Sequence, residues 1–459
     1  MFKRLPFAVA IACLTLHAPL HAESEAATAD EDNIGRFTFS GFGTLGAVHT
    51  RGNGAAFIRD ITQPKGASNR GLSWETDSRF GIQATLKSTE NLDVVAQVVS
   101  RYRPDNTFAP ELTWGFIKYT PTDWLDIRAG RIGFDVYHAS DSREVGYSYL
   151  WIRPPVEYYG TWTLLLPYED GGDITFRMPV GEGISRFKLF TGIARQHVPY
   201  QLGQREWSGN MSTGPVGALA DLSGSRVTGG FLDYQDDHWV LRVSHAQIRM
   251  QREMPAGLVD VLATMRLGAN LAGAAGNAAG ARALSDLAAD TSLMHKKIAF
   301  SSIALTHDLG PWQTQLALSH MTSGSLVVAD SNAGYASLAY RYGKLTPYLL
   351  LSAIRSRNGG RDDTLVGTVP PALVSLTKYA ISTGLETQHT LSLGLRYDLL
   401  PNAALKLQFD RVRSNNCSPV SLAIVGPSDA CAPPLLWPTV PVGWNGRANV
   451  ISAALDFIY

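Results

Sequence analysis

The sequence predicts an all-β fold: a single closed antiparallel transmembrane β-barrel of about 16 strands, with short turns at one end and long loops at the other. Three observations predict it. Segments of roughly ten residues alternate apolar and polar side chains along most of the chain, the period expected of a wall with lipid on one side and water on the other. Tight, turn-forming connections alternate with long ones. The chain opens with the layout of an export leader and closes on an alternating segment that ends in an aromatic residue.

The leader comes first. Lys3 and Arg4 precede an apolar run from Leu5 to Leu16, and His21-Ala22 precede an acidic, polar stretch. This is the layout of a cleaved signal peptide over residues 1–22, followed by a polar segment over 23–35. The apolar run is too short to span a bilayer as a helix. A competing reading lipidates Cys13, but Ala10 stands three positions before it, where a large aliphatic residue is expected. Over 459 residues there are 40 Lys+Arg and 40 Asp+Glu. Removing 1–22 takes two bases and no acids, leaving 38 against 40, or −2. Balanced charge gives no reason to expect a nucleic-acid partner.

No later segment reads as a transmembrane helix. The stretch from Gly257 to Ala289 is weakly polar, yet Asp260, Arg266, Asn270, Asn277, Arg282 and Asp286 interrupt it. Within a membrane only a closed barrel then remains, because every backbone polar group in lipid must be paired.

Strands are expected at 36–49, 79–88, 91–102, 111–120, 124–131, 171–178, 184–195, 225–235, 238–250, 297–308, 312–321, 332–342, 345–356, 390–398, 403–413 and 447–459. The segment 111–120 is ambiguous, with Trp114 and Phe116 on one face and Ile117 and Tyr119 on the other. Seven turns carry residues such as Pro121-Thr122-Asp123, Gly310-Pro311 and Gly343-Lys344. An even strand number with both ends in the periplasm requires seven turns and eight long loops, including 132–168 and 251–296. Trp124, Trp239, Trp312, Tyr342 and Tyr348 lie near the turns and suit an interfacial girdle, although a soluble core also packs aromatics. In the last strand, Phe457 and Tyr459 continue the alternation of Ile451, Ala453 and Leu455. They resemble the terminal signal that the barrel-insertion machinery reads.

Two segments look most family-like: Asp126-Ile127-Arg128-Ala129-Gly130-Arg131, and Val145 through Pro155. With them, the chain resembles Gram-negative outer-membrane porins over its mature length, most of all sixteen-stranded porins related to the phosphate-selective group. No loop carries the run of basic residues that a dedicated phosphate path would need. The resemblance implies a homotrimer in the outer membrane, among lipid and lipopolysaccharide, that passes small hydrophilic solutes without chemistry and without a cofactor. It also implies that loop 132–168 folds inward and narrows the lumen.

That loop carries Asp135, His138, Asp141, Arg143, Glu144, Arg153 and Glu157. Acids and bases opposed across a constriction set a transverse field; on a solvated loop surface they do nothing of the kind. Inward strand positions offer Lys87, Arg101, Arg128, Arg177, Lys188, Arg242, Arg341, Arg396 and Lys406, with Arg131 at the loop entry. The inward acids are Asp93, Asp126, Asp398, Asp410 and Asp456. The larger basic set implies a mild anion preference, unless the two sets pair off.

Cys417 and Cys431 remain in one long loop, and an oxidising compartment favours a disulfide between them, worth about 3 kcal/mol on the chain-entropy model. Asp429 is the only acid in that loop and there is no His, which argues against a metal. Gly41-Phe42-Gly43-Thr44-Leu45-Gly46 has dinucleotide-binding spacing, but no helix pattern follows; glycines permitting close approach in a strand explain it better. Three rivals stand beside the porin. One is a substrate-selective anion channel. Another is a barrel enzyme with a lipid-facing Ser/His pair, for which His245 beside Ser244 and His320 beside Ser319 are the candidates. The third is a binding surface at 257–289, where Leu258, Val261, Leu262, Met265 and Ala269 share one face of a short helix.

Overall fold

The computed structural model describes residues 35–160, 166–201, 204–206, 217–254, 258–357, 386–414, 436–437, 439–441 and 444–459. Sixteen strands pair in chain order into a closed barrel. They are β1 Phe37–Arg51, β2 Arg79–Thr89, β3 Leu92–Arg101, β4 Glu111–Thr122, β5 Leu125–Gly133, β6 Tyr168–Val180, β7 Gly183–Ile193 and β8 Arg226–Gln235. The second half comprises β9 Trp239–Arg249, β10 Lys297–Leu309, β11 Trp312–Thr322, β12 Asp330–Tyr340, β13 Leu345–Arg357, β14 Thr387–Leu400, β15 Ala403–Ser414 and β16 Arg447–Ile458. All pairs are antiparallel, and β1 against β16 closes the wall, so no strand edge is left unpaired.

Closure depends on glycine. A Cβ on Gly41 would run into the Tyr459 ring, and one on Gly43 into the Phe457 ring. The glycine-rich start of β1 is therefore room for the aromatic end of β16. Tight turns join alternate strand pairs, with Gly310 (φ +58) and Gly343 (φ +58) in the left-handed conformation that a side chain resists.

Alternation sets the two faces. Along β13 and β15 burial switches at nearly every residue. Leu318, Leu351, Leu393 and Leu407 point out and are exposed, whereas Ser352, Gln408 and Asp410 point in and are buried. No described helix is long and apolar enough to cross a membrane; this barrel meets lipid with its strands. Trp124, Trp239 and Trp312 ring the turn end; the first two stack on Phe176 and His307, and Trp312 meets Tyr340 edge-on. Tyr348 does not join them. It falls on the inward parity, is buried, and donates to Gln408 Oε1 at 2.8 Å.

The ambiguous segment has a physical cause. The β3–β4 register shifts at Gln97/Val98, so Leu112 and, beyond the bulge, Ile117 and Tyr119 all face outward, while Phe116 turns in. One extra residue reverses the parity of everything beyond it.

The long connection after β9 forms a helical hairpin rather than one short helix. α2 spans Leu258–Ala274 and α3 spans Ala278–Thr291, separated by Gly276 (φ +80) and capped by the Asn277 side chain on the Gly280 amide. Leu258, Leu262 and Met265 pack on Leu287, Ala288, Leu326 and Val327 of the same chain. The apolar face is thus used internally. Residues 1–34, with the leader and Cys13, lie outside the described residues, as do Cys417 and Cys431.

Candidate functional site in the barrel lumen

Between β5 and β6 the chain leaves the wall and crosses the lumen, and successive side chains tie it to the inward faces of opposite strands. Asp135 comes first. It pairs with Lys188 of β7 (2.7 Å) and Arg242 of β9 (2.6 Å) and accepts from Ser140. Burial alone would raise this carboxyl, but Arg242 and Lys188 hold it well below the usual range. The neighbouring His138 is packed against Thr306 of β10 at 3.1 Å. Burial, helped by Arg242, depresses its pKa to about 4, so it is neutral near neutral pH.

Glu144 faces β2 and β3. Arg101 reaches it at 3.1 Å, Arg79 at 3.3 Å and Arg143 at 3.8 Å. Burial pushes this carboxyl up, yet Arg101, Arg59 and Arg143 outweigh burial and hold it below its ordinary value. These groups surround a cavity of about 30 Å³, lined by four arginines (59, 79, 101 and 143) and two acids, Asp60 and Glu144. A space of that size holds a water or two.

A single 3₁₀ turn, Gly146–Ser148, then lays the loop against β16, β1 and β15. Lys406 donates to the carbonyls of Gly146 (2.7 Å) and Trp151 (2.9 Å) while pairing with Asp456 at 2.9 Å. Arg396 donates to the carbonyls of Tyr147 and Tyr149, and Trp151 Nε1 donates to Ser337 Oγ at 3.0 Å. The bond-making is so close that Gly146 has no space for a Cβ, which would meet Asp456 and Thr44.

Arg153 is the deepest tie. Its guanidinium binds Asp77 (2.6 Å), Asp410 (3.0 Å) and Ser452 Oγ (2.5 Å), and lies over the Phe57 ring. It thereby joins two loops to β15 and β16. A short helix, α1 (Val156–Tyr159), follows. Glu157 accepts from Ser352, Gln388 and Thr390, three inward donors on β13 and β14. Tyr137 packs edge-on with Phe300 and Tyr158 edge-on with Tyr335, while Tyr159 lies tilted against Tyr335, giving the loop an aromatic core of its own.

The sequence-derived candidates divide three ways. Arg101, Arg143 and Glu144 come together beside β2 and β3, Asp135 forms a separate cluster with Lys188 and Arg242 at β7 and β9, and Arg153 and Arg396 each tie the loop to β14–β16 through partners of their own. Arg128 pairs with Asp173, Arg131 with Asp170 and Arg177 with Asp126, so much of the supposed free basic wall is neutralised by cross-strand acids. Lys87 is half-buried at the turn end of β2 opposite Asp93, and Arg341 pairs with Asp308 at the rim. Among groups that sequence reasoning missed, Asp77, Arg59 and Arg79 belong to the first long loop and the strand after it. Residues 55–61 of that loop are mostly buried inside the barrel beside the third. No local motif marks them.

The Ser/His candidates are re-sorted. Adjacent strand residues face opposite sides, so Ser244 points inward and donates to the Val136 carbonyl while His245 points outward. Outside, His245 Nδ1 lies 2.8 Å from Ser301 Oγ, and His320 Nδ1 lies 2.8 Å from Asn332 Oδ1.

The chain matches no protein-family model and no curated protein. Among solved structures it is similar to in-vitro folded OmpT, an outer membrane protein of Vibrio cholerae, in its trimer form, at 10% identity and a TM-score of 0.48 over 92% of this chain and 99% of that one. It is similar to the anion-selective porin from Comamonas acidovorans at 11% identity and 0.48, over 92% and 99%. Salmonella typhi OmpF, solved with daunomycin, gives 10% and 0.48 over 93% and 99%. The architecture described above rests on this chain's own strand pairing and burial.

Water access is uneven around the lumen. Four inward basic side chains on β4–β7 keep part of their surface, Lys118 (31%), Arg128 (21%), Arg177 (34%) and Arg186 (35%), while Asp126 (7%) and Asp173 (1%) on the same strands are buried. Those at the loop's far contact are sealed, with Lys406 and Asp456 at 0%.

Proposed function

We propose that this protein is an outer-membrane porin in which the third loop fills one side of the lumen and leaves a narrow, wet path along β2–β7 for small hydrophilic solutes. The observation that carries the reading is that asymmetry of exposure, since a barrel of sixteen strands has room for water and the basic side chains on β4–β7 keep part of their surface where Lys406 and Asp456 keep none. The path narrows beside Glu144, where four guanidinium groups face two carboxylates. Most other basic residues along it are paired, so a mild anion preference comes from this point rather than from a basic wall. The reading includes a homotrimer, leader cleavage after Ala22 and a Cys417–Cys431 disulfide.

Liposome swelling with the folded protein tests it. Small anionic and neutral solutes should enter, anions ahead of cations of equal size. Arg101→Glu with Arg143→Glu should reverse the order. Vesicles that do not swell with any solute would remove the porin reading.

A second reading has its own observation. The His245–Ser301 pair and the His320–Asn332 pair are direct cross-strand neighbours on the lipid-facing wall, where an ester of a membrane lipid can reach them. Phospholipid hydrolysis by the folded protein, lost in Ser301→Ala, would favour it.

A further inference from the structure

On the side of the barrel away from its closure, the outward face of the wall carries a row of polar side chains on four adjacent strands. His245 of β9, Ser301 of β10, His320 of β11 and Asn332 of β12 stand directly opposite one another in the strand register. All four have the lipid-facing parity and keep part of their surface. Two residues nearer the turn end, the same strands present Val243, Ile303, Leu318 and Gly334. Polar groups on a lipid-facing wall are costly, so an unbroken row of them calls for a use.

Contacts within the row give its members different parts. His320 Nδ1 lies 2.8 Å from Asn332 Oδ1. That oxygen only accepts, so Nδ1 carries the proton and Nε2 keeps its lone pair. His320 is thus held as a base directly opposite the Ser301 hydroxyl, at the roughly 5 Å Cβ spacing of facing residues. On the other flank, His245 Nδ1 lies 2.8 Å from Ser301 Oγ. A hydroxyl beside an imidazole that a third group orients is the signature of an activated nucleophile.

The wall around the row is concave. An open cleft of about 1560 Å³ contains all four residues and runs over Leu232, Val243, Ile303, Leu318 and Leu351. Gly334 makes room in it, since a Cβ there would meet the Leu318 side chain at 2.7 Å. The cleft exceeds a pocket for a drug-sized ligand, and its apolar floor suits a long hydrocarbon chain.

We propose that Ser301, His320 and Asn332 form a hydrolytic site on the outer wall that cleaves long-chain acyl esters, with the acyl chain lying in the cleft. Ser301 Oγ adds to the ester carbonyl carbon while its proton passes to His320 Nε2. The bond from that carbon to the alcohol oxygen then breaks, and the alcohol leaves with the proton. Water adds to the acyl-serine, giving a proton to the same nitrogen; the carbon–Oγ bond breaks, the fatty acid leaves, and Ser301 recovers its hydrogen. His245, already in contact with Oγ, steadies the hydroxyl, and Asn332 is a positioning residue. The site deepens the hydrolytic reading and rests on it, not on conduction.

The test uses the full folded chain in mixed micelles with dioleoylphosphatidylcholine, reading released oleate. A second probe, hexadecanesulfonyl fluoride, forms a bond from sulfur to a serine oxygen with loss of fluoride, read by peptide mass spectrometry. Oleate should appear, and the adduct should map to Ser301. Ser301→Ala should abolish both, and His320→Gln should slow both by about a hundredfold or more. Asn332→Ala should lower kcat with KM little changed, and Asn332→Asp should restore most of the rate, which a merely structural role would not produce. Equal rates in His320→Gln, at matched amounts of folded barrel, would overturn the site. Oleate release that survives Ser301→Ala would overturn it too, while leaving lipid hydrolysis by the wall in place. Folded wild-type protein that gives neither oleate nor adduct would remove the hydrolytic reading along with the site.

Discussion

Replacing Arg153 by Met should release the third loop from the wall without opening the barrel. The side chain is 2% exposed, and its partners Asp77 and Asp410 are 0% and 4% exposed. Arg153→Met keeps the volume of the side chain but leaves two carboxylates buried without their cation. Breaking a buried ion pair in this way costs about 3–5 kcal/mol. At about 1.4 kcal/mol per factor of ten, the undocked-to-docked ratio of the loop rises by roughly two to three and a half orders of magnitude. The barrel ladder itself makes no use of Arg153, so the strands persist. Hydrogen exchange on the folded protein reads the change directly. Amides between 145 and 155 should lose protection by roughly a hundredfold or more, while those of β13–β16 keep theirs. Adding Asp77→Asn and Asp410→Asn should restore most of it, because neutral groups do not carry the desolvation cost of unpaired ions. Unchanged exchange in Arg153→Met would refute the claim that this ion cluster holds the loop down.

Other outcomes follow from the same contacts. Glu157→Leu strands the donors of Ser352, Gln388 and Thr390, at about 1–3 kcal/mol each, and should lower the urea midpoint of unfolding from vesicles, whereas Glu157→Gln should lose far less. Gly146→Ala places a Cβ against Asp456 and Thr44, and should raise exchange in the loop much as Arg153→Met does. The pKa of His138 is depressed to about 4, below an unfolded value of about 6.5. The unfolded chain therefore binds the proton first, and stability is fully present above about pH 6.5 and falls as pH drops towards 4, by on the order of 3 kcal/mol. His138→Gln should flatten unfolding free energy across that window, and an unchanged slope would show that other groups carry it.

The barrel was legible because its physics is local. Lipid on one face and water on the other impose a period of two, and all sixteen strands lie within a few residues of where that period puts them. Failures came where parity breaks or where packing is not local. The β4 bulge mixes two parities in one segment. Nearness to a turn suggests the girdle for Tyr348, but its position next to the outward Leu349 places it inside. Ser244 and His245 are neighbours in sequence and on opposite sides of a wall. The charges of the third loop were visible, but not their partners: Arg153 finds Asp410 across 257 positions and Glu157 finds Thr390 across 233. The first loop, with Asp77, carries no periodicity and no motif, so nothing local announces that it shares the lumen.

The most direct test of the account is the current carried by the purified, folded protein in a planar bilayer under a salt gradient. Stepwise conductance with a modest anion-favouring reversal potential is expected, with larger steps in Arg153→Met as the loop leaves the wall. Protein shown to be folded that carries no current, in either form, would contradict the central claim that a wet path remains beside the docked loop.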